Sequence, residues 1–333
     1  LTPDQAQTTA AGDYKTKGFT EPEILEEPQL VIYALEPPPR LAYQLVVSDR
    51  PNKRYKYWID AKTGAVIQAL NSVCTLQAEA QVESSTVASL LSGTAATLTG
   101  NVLTREGGGN FSFNGLLRTS DGYYYMQDSA NYTTVGYYSP AYGGYFYSRR
   151  SSTAWGTSDR AEVSAAKNME RTFTYYRTIH GRNGVNGSGL QVFALVHVGV
   201  NYVNAFWNGS DMYFGDGDGV TSDNLTVLDV CGHEVTHGVT QYSADLIYDK
   251  ESGALNESFS DIFAANIEFA NQSDNRGAYP NKSNGTADWF LGEDCWRSSI
   301  ALRDMRNPAN ASTVGSGNQQ PSKYGGTYWQ NYN

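Results

Sequence analysis

The chain has 333 residues, of which 40% are hydrophobic and only 17% are charged, and it contains 24 tyrosines. Such a composition excludes an intrinsically disordered protein, which would carry more charge and fewer aromatic residues, and the length allows two or three domains. The net charge of −10 argues against a nucleic-acid-binding protein, because few basic side chains are left to neutralise phosphates. No apolar run reaches the roughly 20 residues that a membrane-spanning helix needs, so we expect no membrane association.

The first part of the chain, residues 1–76, is predicted to be a small domain of its own, either α+β or all-β. Residues 28–35 and 41–48 are strand-like runs on either side of a proline-rich turn, and residues 55–70 alternate around the turn sequence DAKTG. This pattern is typical of β-hairpins. Residues 77–99 are mostly small and polar, which favours a linker open to proteolysis, with an ordinary surface loop or short helix as the alternative.

Two further domains are predicted, a β-rich domain over residues 100–245 and the start of a mainly helical domain over residues 246–333. The stretch 100–150 is dense in Tyr, Phe, Gly, Ser and Asn, which indicates short antiparallel strands joined by tight turns. Two helices are expected near 227–243 and 254–270, and the last 60 residues are expected to be mainly loop. The predicted fold class is therefore α+β.

An amphipathic helix is predicted between the two halves of the β-rich domain. Asp159 and Glu162 have the spacing of a capping box, and Gly181 ends the run. Two histidines nearby are interpreted as structural: His180 favours the negative end of the helix dipole, and His197 is a satisfied core or sheet residue. The apolar face of the helix comprises Val163, Ala166, Met169, Phe173, Tyr176 and Ile179.

The chain has only four histidines, and two of them, His233 and His237, stand one helical turn apart around Glu234. Residues i and i+4 share a helix face, so both imidazoles can point at one ion, and imidazole is a good ligand for Zn²⁺. Glu234 is then placed to accept a proton from water. A solvated helix face is the alternative, but Val230 and Val235 predict a buried helix, where three ionisable groups need a partner such as a metal.

A catalytic zinc site needs a third protein ligand and an open position for water. Glu257 follows His237 by 20 residues and could lie opposite the imidazoles on an antiparallel helix. Asp261, one turn beyond Glu257, could accept the remaining ring N–H of a ligand histidine. Either carboxylate alone could be an ordinary helix-terminal or surface charge, but the joint pattern favours a zinc site.

These motifs resemble the thermolysin family of neutral zinc metalloproteases. The resemblance is carried by HEVTH (233–237) with the later glutamate, by NAFWNG (204–209) with GDGDG (215–219), and by LRDM (302–305). It implies a secreted zinc endopeptidase precursor that hydrolyses proteins or peptides, with bulky hydrophobic residues preferred after the cut. The N-terminal part resembles the propeptide of such enzymes, which covers the cleft as an intramolecular inhibitor, and a monomer is expected.

The resemblance also implies roles for individual positions. Three of them, His233, His237 and Glu257, match the zinc ligands, while Glu234 matches the general base. Asp261 matches the carboxylate behind a ligand histidine. The remaining matches concern the oxyanion and the substrate, and they are Tyr248 for the oxyanion, Asn204 and Ala205 for the substrate backbone, and Arg303 for the substrate carbonyl.

One structural calcium ion is implied in the same way. Its carboxylates match Asp229, Glu268, Asp288 and Glu293, and oxygen ligands from distant loops suit this ion. Phe290 stands where relatives with a paired calcium site carry an acidic residue, so a second calcium is left open.

The sequence departs from the family pattern at one point. The family has a further histidine that donates to the oxyanion, and no histidine follows His237 here. The chain is therefore expected to be a fragment that lacks this histidine. Two other functions compete with a protease: a non-catalytic metal-bound scaffold, which would not need Glu234, and an N-terminal module that acts mainly as a protease inhibitor.

The three cysteines, Cys74, Cys231 and Cys295, have no CxxC spacing, which excludes a zinc knuckle or a thioredoxin-type motif. Their odd number leaves at least one thiol free or paired outside this chain. Cys74 lies close to the predicted linker and is either a thiol latch on zinc or an unrelated thiol. The second interpretation is favoured.

Overall fold

The computed structural model describes residues 1–34, 38–50, 53–75, 91–139 and 144–329. These residues form an N-terminal helix and sheet, a β-rich unit and a helical unit, which confirms the predicted α+β class. Within the described ranges, no helix is long and apolar enough to cross a membrane.

In the N-terminal unit, one helix packs on a four-stranded antiparallel sheet. Alternate residues of neighbouring strands, such as Leu45 and Ile59, are buried against Ala6, Ala10 and Tyr14 of the helix, as the two-residue period of a strand requires. The predicted hairpins are therefore confirmed. The elements are α1 (Pro3–Thr16), β1 (Glu23–Tyr33), β2 (Arg40–Arg50), β3 (Lys53–Asp60) and β4 (Val66–Asn71).

Helix α1 is an element that the hydrophobic pattern does not predict. It begins with a capping box, in which the Thr2 hydroxyl accepts a bond from the Gln5 amide at 3.3 Å and the Gln5 side chain accepts one from the Thr2 amide at 2.8 Å. Pro3 stands at the first helical position, where its missing N–H costs nothing. The buried residues of the helix are Ala6, Ala10 and Tyr14, and because two of them are short the apolar stripe is weak.

The β-rich unit contains two sheets. The larger has the order β11-β10-β14-β16-β15-β5, with β9 also paired to β10, and the smaller has the order β12-β8-β7-β6-β13. The predicted linker 77–99 lies outside the described residues as far as residue 90, and a strand begins at Thr94. The strands are β5 (Cys74–Thr75), β6 (Thr94–Asn101), β7 (Asn110–Arg118), β8 (Tyr123–Tyr125), β9 (Gln127–Asp128), β10 (Thr133–Ser139), β11 (Gly144–Tyr147), β12 (Arg149–Arg150), β13 (Ala154–Trp155), β14 (Val192–Val196), β15 (Ala205–Trp207) and β16 (Met212–Phe214).

The predicted amphipathic helix is α2 (Arg160–His180), and Gly181 ends it with a φ of 63°. The capping-box prediction was wrong, because the Asp159 carboxylate accepts a bond from the Gly156 amide at 2.8 Å instead of capping α2. One predicted core position also failed, since Ile179 is 63% exposed near the helix end.

His197 lies in a loop after β14 rather than in a strand, and it makes ion pairs. Its φ is 59°, its Nδ1 lies 2.8 Å from the Asp216 carboxylate, and its Nε2 lies 3.5 Å from Glu162. Burial alone would lower the pKa of His197, but the two carboxylates raise it to about 10. This histidine is thus structural, as expected, although not through apolar packing.

Two long helices carry the rest of the structure, α3 (Leu228–Gln241) and α4 (Lys250–Asn271). The second begins at Lys250, a turn earlier than the sequence pattern indicates. The helices approach closely at Gly232, where an added Cβ would lie 3.1 Å from Ile267 and 3.3 Å from Ala264. The remaining described elements are short, as predicted for this part: β17 (Ser273–Asp274), β18 (Thr286–Ala287), β19 (Phe290–Leu291), β20 (Arg303–Asp304) and α5 (Ala311–Val314).

Candidate metal centre and catalytic cleft

Helices α3 and α4 bring the three predicted zinc ligands together. His233 and His237 lie on α3 and are fully buried, while Glu257 reaches them from α4. The Nε2 atoms of the two imidazoles face each other at 2.9 Å, and the Glu257 carboxylate lies 3.3 Å from each. One nitrogen from each histidine and one carboxylate oxygen therefore converge within 4.8 Å of one another.

Neighbouring side chains fix the orientation of both imidazoles. Nδ1 of His233 lies 2.8 Å from Asp261, whose two oxygens each accept a bond of 2.7 Å from Arg303. Burial alone would raise the pKa of Asp261, but the Arg303 guanidinium and His233 hold it below its usual value. Since each Nδ1 is engaged elsewhere, the Nε2 atoms are left to face the centre, as in metal sites whose ligands are held from behind.

His237 is held in the same way by two residues that the sequence analysis did not assign. Its Nδ1 lies 2.8 Å from the Asn256 amide oxygen and 3.1 Å from the Ser260 hydroxyl. Both residues are buried on α4. The sequence contains a pattern that indicates both residues. Asn256 and Ser260 immediately precede Glu257 and Asp261 and repeat their four-residue spacing along the helix.

These donors fit a zinc ion. Two neutral imidazole nitrogens and one carboxylate oxygen are a donor set of catalytic zinc sites, and each donor atom is aimed at the same point. Burial alone would raise the pKa of Glu257, but the imidazoles oppose this and hold it well below its usual value. Glu257 is thus ionised, as a carboxylate ligand of a metal must be.

Glu234 lies beside these ligands without a hydrogen-bond partner of its own. Its side chain is fully buried, and neither carboxylate oxygen is bonded to another described residue. Burial raises the pKa of Glu234 to about 7. A buried carboxylate without a donor is costly, so its position is expected to serve chemistry rather than stability.

Four further predicted site residues remain, which are Tyr248, Asn204, Ala205 and Arg303. The Tyr248 hydroxyl donates to the Glu257 carboxylate. Asn204 and Ala205 are buried where β15 begins, and the Asn204 side-chain oxygen accepts a bond of 3.0 Å from the Ala205 amide. Arg303 donates to Asp261 and so acts on His233 through that carboxylate.

The edge of β15 is covered by a strand from the N-terminal part of the chain. β5 pairs antiparallel with β15, with Trp207 opposite Cys74 and Phe206 opposite Thr75. The sequence favours an unrelated thiol at Cys74, whereas the structure places its side chain in a cleft that His237 also lines. Cys74 also lies in the same cleft as Tyr248.

A second cluster of ionisable side chains lies one turn before His233. Asp229, Glu268 and Glu293 are buried, and one oxygen of each lies within 4.8 Å of the others. Neither Glu268 nor Glu293 has a hydrogen-bond partner among the described residues for either oxygen. Burial, followed by mutual repulsion, raises the pKa of both glutamates well above its usual value. These oxygens fit a hard cation such as Ca²⁺.

The fourth predicted calcium residue, Asp288, stands at the margin of this cluster. It is not among the three whose oxygens converge, but one of its oxygens has no partner and its charge acts on both glutamates. Asp294, which the sequence analysis did not assign, is also buried nearby, and burial raises its pKa to about 8. The Phe290 side chain stacks on Tyr279 and offers no ligand atom.

The chain matches three family models along its length. Residues 103–241 match the catalytic domain of thermolysin metallopeptidases, and residues 244–333 match the α-helical domain of the same enzymes. Residues 1–69 match a peptidase propeptide and YPEB domain.

Individual relatives agree with these models, and the chain spans about half the length of the curated relatives it matches. Bacillolysin of Bacillus cereus is 34% identical over 86% of this chain and 51% of the relative. Thermolysin of Alicyclobacillus acidocaldarius subsp. acidocaldarius is 33% identical over 97% of this chain and 57% of the relative. The solved precursor of protealysin, a metalloproteinase from Serratia proteamaculans, is 32% identical with a TM-score of 0.42, over 53% of this chain and 54% of that chain.

Proposed function

Because the chain belongs to the thermolysin family of metallopeptidases, we propose that it is the precursor form of a zinc metalloendopeptidase. The observation that carries this proposal is the convergence of His233, His237 and Glu257 beside the buried, unpartnered carboxylate of Glu234. A scaffold that only bound metal would have no use for that carboxylate, which is costly to bury. The same proposal includes an extracellular location and a preference for bulky hydrophobic residues after the cut.

His233, His237 and Glu257 are the residues that would hold zinc. When bound there, zinc would supply a Lewis acid that polarises the substrate carbonyl and acidifies water. Glu234 would take the proton of the attacking water and later give it to the leaving amine, and its buried carboxylate has no competing hydrogen-bond partner among the described residues. Tyr248, whose hydroxyl is already at the ligand carboxylate, would donate to the oxyanion.

Asp261 and Arg303 act on this reaction through His233. The bidentate Arg303–Asp261 pair keeps the carboxylate charged, and the carboxylate keeps Nδ1 of His233 as a donor. In the proposed enzyme Arg303 would also contact the substrate carbonyl. The polypeptide substrate would lie extended along β15 and bind by backbone hydrogen bonds, with Asn204 and Ala205 at the near end of that edge.

The N-terminal unit would act as an intramolecular inhibitor. β5 occupies the edge of β15 to which a substrate would bind, and Arg54 donates to the Asn208 carbonyl at 3.2 Å. Lys56 adds an ion pair of 3.2 Å with Asp245. We therefore propose a propeptide over residues 1–76, a linker over residues 77–99, and catalytic domains over residues 100–245 and 246–333.

A structural calcium ion is the second proposed metal. Asp229, Glu268 and Glu293 would hold it, with Asp288 at the margin, and its role would be to neutralise carboxylates that the protein itself leaves unpaired. One calcium is proposed, since Phe290 offers no side-chain ligand for a second.

Glu234→Gln is the test of this proposal. In the processed protein expressed from its full gene, the variant should lose about 10²–10⁴-fold in kcat/KM for casein or a peptide, which is the usual size of a general-base effect. It should still bind one zinc, because the ligands are untouched. Activity of the parent should be abolished by o-phenanthroline.

The matched control is Glu251→Gln, which neutralises an exposed glutamate in the first turn of α4. This variant should keep the parent activity. Full activity of Glu234→Gln would overturn the mechanism, and a processed parent with no chelator-sensitive activity would overturn the enzyme itself.

A further inference from the structure

We propose that the Cys74 thiolate is a fourth ligand of zinc in the precursor, so that the N-terminal segment closes the metal site through sulfur. The inference rests on the proposed function, because it requires zinc at His233, His237 and Glu257. Cys74 lies between the ranges that match the propeptide and the catalytic domain, at 1–69 and 103–241. Neither match therefore assigns it a role.

The strand register determines which way Cys74 points. Residues that face each other across an antiparallel pair project to the same side, so Cys74 shares a side with Trp207. The Trp207 indole donates to Gln241 of α3 at 2.8 Å. Cys74 must therefore also face α3, where it lines a cleft together with Gln241 and with His237, one turn before it.

The residue before Cys74 anchors the opposite side of the segment. Val73 is 2% exposed and packs in an apolar cluster with Phe206 and Tyr213. Successive residues of an extended chain project to opposite faces, so burial of Val73 on one side directs Cys74 to the other. The thiol is thus held from both sides rather than by a single contact.

The surroundings of the thiol are those of the proposed metal centre. Nδ1 of His237 is engaged by Asn256 and Ser260, which leaves Nε2 facing the ligand cluster. Cys74 lines the same cleft as His237 and Tyr248, just outside the three donor atoms that converge within 4.8 Å, so the thiolate would move in to bind zinc. Glu234 supplies an independent sign of a ligand here, since its buried carboxylate has no partner among the described residues.

Cysteine thiolate is a strong zinc ligand, and the three ligands from α3 and α4 leave one tetrahedral position. Coordination would break the S–H bond, release the proton to solvent and place a sulfur lone pair in that position. No electron transfer is involved, and no other reactant is needed. Water would then be excluded from the position that hydrolysis requires.

X-ray absorption spectroscopy of the zinc-loaded precursor tests this assignment directly. The chain would carry Glu234→Gln so that it stays uncleaved. A sulfur neighbour should appear at about 2.3 Å, distinct from nitrogen and oxygen at about 2.0–2.2 Å. With cobalt in place of zinc, a thiolate-to-metal charge-transfer band should accompany it.

Two matched variants identify the sulfur. Cys74→Ser should lose the sulfur neighbour and the charge-transfer band while still binding one zinc, because three ligands remain. Cys295→Ser, which changes another buried free thiol and keeps a donor for the Gly292 carbonyl, should retain both signals. Circular dichroism would verify that each variant is folded.

The spectrum of the Glu234→Gln precursor with its cysteines unchanged tests the proposal even if a cysteine variant does not fold. Stoichiometric zinc with only nitrogen and oxygen neighbours would overturn the role of Cys74 and leave the proposed function intact. Retention of the sulfur signal in folded Cys74→Ser would overturn it as well. A chain that binds no zinc at all would instead overturn the metal site on which both proposals depend.

Discussion

The two clusters of ionisable side chains on α3 lie one helical turn apart but are built in opposite ways. At His233 and His237, each ring nitrogen that faces away from the centre is bonded to a residue of α4, and Arg303 balances the charge of Asp261. At Asp229, Glu268 and Glu293, the carboxylates converge and both glutamates lack hydrogen-bond partners among the described residues. The first cluster is oriented by the protein, whereas in the second only Asp229 is, by the backbone amides of Val230 and Gly292.

This difference indicates what each metal would do. Burial of an unpaired carboxylate costs several kcal/mol, so the acidic cluster opposes folding unless a cation or protons neutralise it. In the histidine cluster both Nδ1 atoms are already bonded to neighbouring side chains, so its zinc is needed for chemistry more than for folding. Calcium should therefore control stability and zinc should control activity.

Selective removal of each metal should give the largest effect. Zinc removal by o-phenanthroline in excess calcium should abolish peptidase activity and change Tm little. Removal of calcium in zinc-supplemented buffer should lower Tm by about 10 °C, since a ligand at 1,000 times its Kd contributes about 4 kcal/mol. Calorimetry and a peptide assay on the same samples measure both effects.

The inferred difference between the two clusters would be wrong if removal of zinc and removal of calcium had the same effects on activity and Tm. A fall in Tm as large after zinc removal as after calcium removal would show that the histidine cluster is not held by the protein alone. Glu268→Gln sharpens the test: it should raise the Tm of the calcium-free protein and weaken calcium binding, because it removes one of the repelling charges.

Asp261→Asn should have a smaller effect, confined to the histidine cluster. The amide can no longer hold the charge that balances Arg303 and fixes Nδ1 of His233, so zinc affinity should fall by about 10–100-fold. Isothermal titration with zinc measures this, and calcium affinity should not change. Asp274→Asn, which removes the carboxylate of an exposed pair with Arg276, is the matched control and should leave both affinities at the parent value.

The pH dependence of the calcium-free protein should show the smallest effect. Burial raises the pKa of Asp288 to about 6 and that of Asp294 to about 8, against an unfolded value near 4. The folded protein thus binds protons more tightly than the unfolded chain, so this contribution to stability is complete below pH 4 and is lost as the pH rises to about 8. Without calcium, Tm should therefore fall by a few degrees between pH 6 and pH 8.

Calcium should make Tm less dependent on pH, because the bound ion neutralises the carboxylates in place of protons. Asp294→Asn should have part of this effect in the calcium-free protein, since the amide can still accept the bond from Gly285 and does not ionise. Equal slopes with and without calcium, measured by calorimetry across this range, would contradict the assignment of the acidic cluster.

The sequence predicts the centre of the site well because its information is local. His233 and His237 are one turn apart on a helix, and Asp261 is one turn beyond Glu257 on the next, so helical periodicity alone places each pair on one face. The structure brings these four side chains together as the spacing predicts. Their chemical roles remain predictions until the variants are measured.

Other features could not be predicted from the sequence, because they depend on packing between distant segments. Cys74 and His237 are 163 positions apart, and the pairing of β5 with β15 places them in one cleft. Asp159 has the spacing of a capping residue, yet its carboxylate bonds to Gly156 in the turn before α2. Asn256 has a local signal, but amides are common on helices, and its contact with His237 depends on how α4 packs against α3.

The pairing of β5 with β15 also makes the state of the cleft depend on chain connectivity. While β5 and the catalytic domain belong to one continuous polypeptide, occupancy of the β15 edge is unimolecular and independent of protein concentration. After a single cut between β5 and β6 the same segment becomes a separate ligand, whose occupancy falls on dilution. Cleavage of one peptide bond would then turn a tethered segment that always occupies the β15 edge into a dissociable inhibitor that substrate can displace.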